Sequence, residues 1–494
     1  MWRVRCVSAC GLLLITLAGC RTSATHAGKV AARPTPHVSV ARPDADALRS
    51  AWHSEPKTEL AKRVVAAAYE EDAADQTPPE PPVGPPLNSI HELSLERFIA
   101  EVQAVHPSLE AMYAAWQAAS AKYPQVISLD DPMFGATFAP ASFGSRDVES
   151  AYAIEASQKI PWHGKRALRG VAASWEADSA SRDVETTRQK LAEAAELAFW
   201  DYYVVRRQLE LNEQSNDILK AFRENAVSRY EGNLVTQQDV LQADVELANL
   251  EQRRIELERM DRVASGRINV LLRRKPTEPL PPPPKSLVRA IELPNIDGLL
   301  ALAIEQRPDI AAVAARTQAE QAKVALACKQ YYPDAEVFGR YDKFWQPTST
   351  QSDLQGQVGA RINVPIYRAR LNAAVCEAMQ QLAKARAEYD QLVLEVQSDV
   401  QSTFEQVRES QRTVTLYSQK LLPASEQNVG VARANYDTSK ITFLELAISQ
   451  RQLIEARERQ LQAQVELQRR IATLRRVAGG SLPDASSPVP PPEP

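Results

Sequence analysis

Between Lys165 and Arg273 the apolar positions fall in steps of three and four. Along the first arm they are Val184, Leu191, Ala195, Ala198, Tyr202, Val205 and Leu209, with one step of seven. A period close to 3.5 predicts a coiled-coil seam rather than the wider face of a compact globular helix. No proline occurs from Lys165 to Asn225. At about 1.5 Å per residue such a helix reaches roughly 90 Å, too long for an ordinary domain. The pattern breaks at Tyr230-Glu231-Gly232-Asn233, a hairpin tip, and resumes from Gln237 to Arg273. The same plan returns from Ala369 to Ala478, with seam residues Leu371, Ala374, Ala378, Leu382, Ala385, Tyr389, Leu392 and Val396. A chain built twice around long helical hairpins is mainly a rod.

Ahead of each hairpin the period changes. An amphipathic helix from Leu93 to Ala121 contains His106-Pro107, and its counterpart from Ile296 to Gln330 contains Arg307-Pro308. Each proline predicts a break followed by a fresh helical start. Helical spacing then gives way to alternation. In Gln357 to Val364 the positions Val358, Ala360, Ile362 and Val364 oppose Gln357, Gly359, Arg361 and Asn363. That is a strand with one apolar and one polar face. Tyr152 to Ile160 sets Tyr152, Ile154 and Ala156 against Glu155, Ser157 and Lys159 in the same way. Ala335 to Trp345 is a third strand and Phe134 to Ala139 a weaker fourth. The strands Tyr152–Ile160 and Gln357–Val364 stop at a proline, Pro161 and Pro365, where pairing ends and a long helix begins. The second tip, Asn435-Tyr436-Asp437-Thr438-Ser439-Lys440-Ile441-Thr442, corresponds to the first.

Composition narrows the partners. Charged residues make up 24% of the chain and the net charge is −4, so there is no basic footprint for nucleic acid. The 33 prolines cluster, and they mark linkers. The front end is a targeting segment: Arg3 and Arg5, an apolar core from Gly11 to Leu17, then Leu17-Ala18-Gly19-Cys20. Its core is too short to span a bilayer as a helix. It resembles a bacterial lipoprotein signal, in which residues 1–19 are removed and Cys20 is acylated. Arg21, not aspartate, follows, which on that resemblance implies the outer membrane. Multiple acyl chains anchor firmly where one is marginal. Cys6 and Cys10 leave with the signal, and Cys328 and Cys376, each inside a helical pattern, are expected to be small buried packing residues. Residues 20–88 read as an Ala/Pro/Ser/Thr-rich tether, with a short helix allowed from Asp44 to Glu70. The remaining divisions are repeat 1 (89–275), a proline-rich linker (276–295), repeat 2 (296–478) and a tail (479–494).

Signal lipoprotein, tandem repeat, two strands per repeat and alternating coiled-coil helices together resemble the outer membrane efflux ducts of the TolC type. The resemblance covers residues 89 to 478 and is closest to the lipoprotein ducts that serve heavy-metal and multidrug RND pumps. It implies a mainly α fold with a membrane β-barrel: three chains pool four strands each into one twelve-stranded barrel, above a periplasmic α-helical tunnel. Physics points the same way. Four strands are too few to close a barrel, and a bilayer does not tolerate an open sheet edge. Phe134, Phe143, Tyr152, Trp162 and Trp345 would suit interfacial girdles. Loops 144–148 and 347–355 would face the exterior.

On the same resemblance, the periplasmic gate falls on Tyr436 and Glu445, with Ile448 and Ile441 standing where further gate charges are expected. Glu445 from three chains would form an acidic constriction; alone, it suits the positive end of its helix. The tips, Tyr230, Gly232, Leu234, Val235, Lys440 and Ile441, would dock a periplasmic adaptor, with Gly232 supplying a tight turn. The resulting expectation is a passive exit duct in the outer membrane: a homotrimer working with an adaptor and an inner-membrane pump of RND type, not an enzyme, and without cofactor beyond the Cys20 lipid. The histidines show no ligand spacing and the glycines form no phosphate-binding loop. Two rivals stand beside it: the duct of a type I protein secretion system, and a lipidated periplasmic coiled-coil adaptor or scaffold. An adaptor would lack paired amphipathic strands within two tandem hairpins.

Overall fold

A computed structural model describes residues 92–139, 150–232, 235–285, 293–344, 354–438 and 440–480. Several expectations lie outside these residues: the signal and Cys20, the tether with its short helix, Phe143, Trp345, the loops 144–148 and 347–353, Leu234 and the end of the tail. All described residues belong to one compact unit, Glu55–Pro494.

Repeat 1 runs α1 (Leu95–Val105), α2 (Pro107–Ile127), β1 (Met133–Phe138), β2 (Ser150–Ile160), α3 (Lys165–Glu231) and α4 (Gln237–Leu271). Repeat 2 runs α5 (Ile296–Gln306), α6 (Pro308–Lys329), β3 (Ala335–Phe344), β4 (Leu354–Ile362), α7 (Arg368–Leu416), α8 (Leu422–Asp437) and α9 (Phe443–Val477). Both prolines act as expected: Pro107 and Pro308 open α2 and α6, where a missing N–H costs nothing. The second long arm is not one α-helix. A single π-turn, Tyr417–Leu421, separates α7 from α8 immediately before Pro423. Proline removes a backbone donor and crowds the carbonyl four residues back, and a widened turn relieves both.

The 67-residue α3 is the spine. Its seam is buried as expected from Val184 through Val205, with Leu209 half-buried. Phe199, Trp200, Tyr202 and Tyr203 interlock with Phe98 and Val102 of α1, Ile268 of α4 and Val465 of α9. The Phe199–Trp200 and Trp200–Tyr203 rings meet edge to face at 5.5 and 5.4 Å, the arrangement their quadrupoles favour. In α7, Leu371, Ala378, Ala385 and Val396 are buried, but Ala374 is exposed. Cys328 and Cys376 are exposed rather than buried. Both lie on exposed helix faces, a fact that periodicity within one helix cannot reveal.

The proline-rich linker is not a loose tether where it is described. Tyr202 donates its hydroxyl to the Pro281 carbonyl (3.1 Å) and Arg207 bonds the Pro284 carbonyl (2.9 Å). Leu93 N–H donates to the Pro282 carbonyl (2.9 Å), and the Asn269 amide reaches the carbonyls of Pro276 and Glu278. The linker is strapped across the spine.

The strands form one antiparallel sheet in the order β1-β2-β3-β4, so the central β2–β3 pair joins the two repeats. Directly paired residues share a face. Register therefore places Phe134, Phe138, Tyr152, Ile154, Val337, Tyr341, Val358 and Ile362 on one side. This apolar side is bare: Val358 is 87% exposed and Phe134 78%. The opposite side carries Glu155, Lys159, Glu336, Arg340, Asp342 and Arg361. Neither β1 nor β4 has a partner on its outer edge among the described residues. Among the described residues no helix is long and apolar enough to cross a membrane.

Candidate functional site

Two hairpin tips meet at the end of the helices away from the sheet. Tyr436, near the end of α8, is only 4% exposed. It packs with Phe443, Leu446 and Ala447 of α9, Ala432 of α8 and Ala243 of α4. Its ring sits edge-on to Phe443 at 5.9 Å. From the other hairpin, Arg229 lays its guanidinium over the Tyr436 ring, 4.6 Å from the centroid, and donates to the Tyr436 carbonyl at 2.8 Å. A cation on an aromatic face is attracted by the ring quadrupole, more so when partly dry. Arg229 thus covers Tyr436 by two contacts at once. The Tyr436 hydroxyl is buried with no hydrogen-bond partner among the described residues, and burial raises its pKa. Burial also raises the pKa of Asp239, against the pull of Arg229. A cleft of about 340 Å³ lies beside these groups, lined by Arg229, Val235, Asp239, Tyr436, Ile441 and Leu444.

Glu445 is exposed and turned back on its own helix. Its backbone N–H donates to Thr442 Oγ1 (3.4 Å) while its carboxylate accepts from Thr442 N–H (3.2 Å). This reciprocal capping box satisfies two donors that a helix start otherwise leaves bare.

At the sheet end, the strand-to-helix turns share one anchor. Lys165, 1% exposed, begins α3 and reaches Asp334 Oδ1 (2.8 Å) and the Tyr332 carbonyl (2.9 Å). The same Asp334 oxygen accepts from Trp162 N–H (2.8 Å), just past Pro161. Trp162 stacks on Tyr332 at 5.6 Å. Gly164 makes the corner with φ +85, in the left-handed region. Past β4, the Asn363 N–H donates to the Asp334 carbonyl (2.9 Å) shortly before Pro365. Burial works to raise the Asp334 pKa, but bonds from Lys165 and Trp162 outweigh it and hold the carboxyl below its usual range.

Residues 299–480 match the family model described as outer membrane efflux protein. That stretch, which holds most of repeat 2, is where the chain resembles the family. The chain is 23% identical over 317 residues to the cobalt-zinc-cadmium resistance protein CzcC of Cupriavidus metallidurans, covering 64% of this chain and 74% of CzcC. Its fold matches CusC at a TM-score of 0.67 and 15% identity, covering 79% of this chain and 93% of CusC. It matches VceC of Vibrio cholerae at 0.65 and 18% identity, covering 78% and 96% of the two chains. The mainly helical body with four antiparallel strands is therefore the fold of outer membrane channel proteins.

Within the chain the tip residues fall into two groups. Tyr230 and Lys440 are exposed, whereas Val235 and Ile441 are half-buried and Ile441 packs on the Tyr436 cluster. Gly232 has φ −80, and the α3 helix closes there with a bond from Gly232 N–H to the Ser228 carbonyl. Tyr436 and Glu445 do not converge within one chain: the tyrosine points into the hairpin core and the glutamate caps its helix. Sequence reasoning missed Arg229 and Asp239. Arg229 stands immediately before the tip motif Tyr230-Glu231-Gly232-Asn233, but only the docking of one hairpin on the other reveals its target.

Proposed function

We propose that this chain is the outer membrane exit duct of a tripartite efflux system. Three copies pool their strands into one twelve-stranded barrel and their hairpins into a periplasmic tunnel. The duct passes small molecules or ions handed over by a periplasmic adaptor and an inner-membrane pump of RND type. It performs no chemistry of its own, and the lipid on Cys20 adds an anchor. The observation that carries this reading is the sheet: an apolar face bare to the surroundings and two unpaired edges. Such a surface is stable in lipid only when neighbouring copies close it. The name of the relative CzcC supports divalent heavy-metal cations as cargo.

At the tips, Tyr436 and Glu445 form the periplasmic gate. With Arg229 clamped on Tyr436, the described conformation is the closed one. Opening releases that clamp and exposes Tyr436. The exposed Tyr230 and Lys440, with Gly232, Leu234, Val235 and Ile441, receive the adaptor.

The deciding experiment is mild crosslinking of intact cells, followed by purification from outer membranes and mass spectrometry. The expected products are a trimer and adducts with an adaptor and a pump. Loss of the gene should raise sensitivity to cobalt, zinc or cadmium. Recovery as a water-soluble single chain would overturn the assignment.

A further inference from the structure

The polar face of the sheet is compensated charge by charge. Glu155, Glu336 and Asp342 stand against Lys159, Arg340 and Arg361. Arg340 is paired with Asp342 two residues along its own strand, at 2.9 Å. Arg361 of β4 has the longer reach. Its guanidinium crosses β3 to Glu155 of β2 at 2.9 Å and lies 3.8 Å from Glu336. The platform that makes this reach achievable is aromatic: Arg361 lies 4.1 Å from the centroid of Phe338. Phe338 can lie there because its cross-strand neighbour is Gly359; a Cβ at that position would come within 2.5 Å of the ring. Glycine, phenylalanine and arginine thus form one device that carries a positive charge to two carboxylates on other strands.

On the reading of the sheet as a share of a barrel wall, this face lines the lumen. We infer that Arg361 sets the ion preference of the barrel lumen, by neutralising Glu155 and Glu336. Repeated in each copy, those carboxylates without Arg361 would ring the pore with negative charge and favour cations. With it, the barrel passes either sign, and charge selection is left to the periplasmic tips.

The test is the reversal potential of the purified, reconstituted full chain under a potassium chloride gradient. Arg361→Gln should raise the potassium-to-chloride permeability ratio by about twofold or more, and Glu155→Gln with Glu336→Gln should lower it similarly. Arg361→Lys keeps the charge and should hold the wild-type ratio, which separates an electrostatic role from a structural one. The lumen assignment is tested separately in a Cys328→Ser, Cys376→Ser background. There, a membrane-impermeant thiol reagent should label Gln357→Cys and spare Val358→Cys. If labelling follows that pattern while the charge variants reverse at the wild-type potential, the selectivity role of Arg361 is overturned. If Val358→Cys is labelled and Gln357→Cys protected, the barrel reading itself fails and this inference falls with it.

Discussion

Arg229 holds Tyr436 twice, by its guanidinium over the ring at 4.6 Å and by a 2.8 Å bond to the tyrosine carbonyl. The two residues belong to different repeats, so the contact ties hairpin to hairpin at the tips. Among the described residues Tyr436 gains little else that is polar, since its hydroxyl is buried without a partner there. The clamp therefore adds polar contacts to the apolar packing that holds the ring.

On the proposal that Tyr436 belongs to a periplasmic gate, removing that clamp should loosen it. Arg229→Ala is expected to increase single-channel conductance in planar bilayers. Arg229→Lys keeps the charge but loses the planar stacking surface, and should fall between wild type and alanine. Identical conductance in all three would show that Tyr436 is held by its apolar neighbours alone.

At the opposite end, Lys165 and Asp334 lock both strand-to-helix turns. Lys165→Met would leave a largely buried carboxylate without its cation, a change that costs about 3 kcal/mol. The Asp334 pKa is depressed in the folded chain. Its contribution to stability is then fully present above the unfolded carboxylate range and is lost as pH falls through the depressed value. Thermal unfolding of detergent-purified protein should show wild type more stable than Asp334→Asn at neutral pH. The gap should close in acid; a gap that stays constant with pH would contradict the ionic account.

Glu196 predicts the opposite trend. It is 6% exposed and bound to Arg475, yet burial, the largest influence, leaves its pKa above the ordinary value. A carboxyl with a raised folded-state pKa favours folding increasingly as pH drops through that value, until the unfolded chain also takes up the proton. Relative to Glu196→Gln, the wild-type melting temperature should therefore improve between pH 7 and the lower end of the carboxylate range. A wild type that loses ground over that interval would refute it.

Packing supplies a fourth expectation. A Cβ on Gly170 of α3 would lie 2.7 Å from Ile127 Cγ2 and 3.2 Å from the Tyr123 ring of α2. Gly170→Ala exchanges a helix-propensity gain of about 1 kcal/mol for crowding of similar size and should be close to neutral. Gly170→Leu adds bulk that the contact cannot absorb, at about 2 kcal/mol or more. Equal melting temperatures for the alanine and leucine variants would mean that α2 moves away freely.

Much of this fold was legible in spacing alone. The seam through Val184, Ala195 and Tyr202 is a local signal, because a helix buries whichever stripe its period aligns. The same holds for Val358, Ala360 and Ile362, where a period of two assigns a face before any partner strand is known. The prolines at 107, 308, 161 and 365 mark boundaries for an equally local reason: each lacks an N–H. Pro423, too, is visible in the sequence, yet the π-turn ahead of it is one of several ways to accommodate a proline.

The remainder depended on which surfaces meet. The burial of Tyr436 under Arg229, the reach of Arg361 across Phe338 to Glu155 and the strap along Tyr202 join residues far apart in the chain. The exposure of Cys328 and Cys376 is likewise hidden from the spacing of their own helices. By itself the sequence determined the elements, their order, their repetition and the apolar side of each strand, since these follow from neighbours a few residues away. Only the tertiary structure decided which charges pair and which tip residues are hidden, because those depend on how one repeat docks against the other.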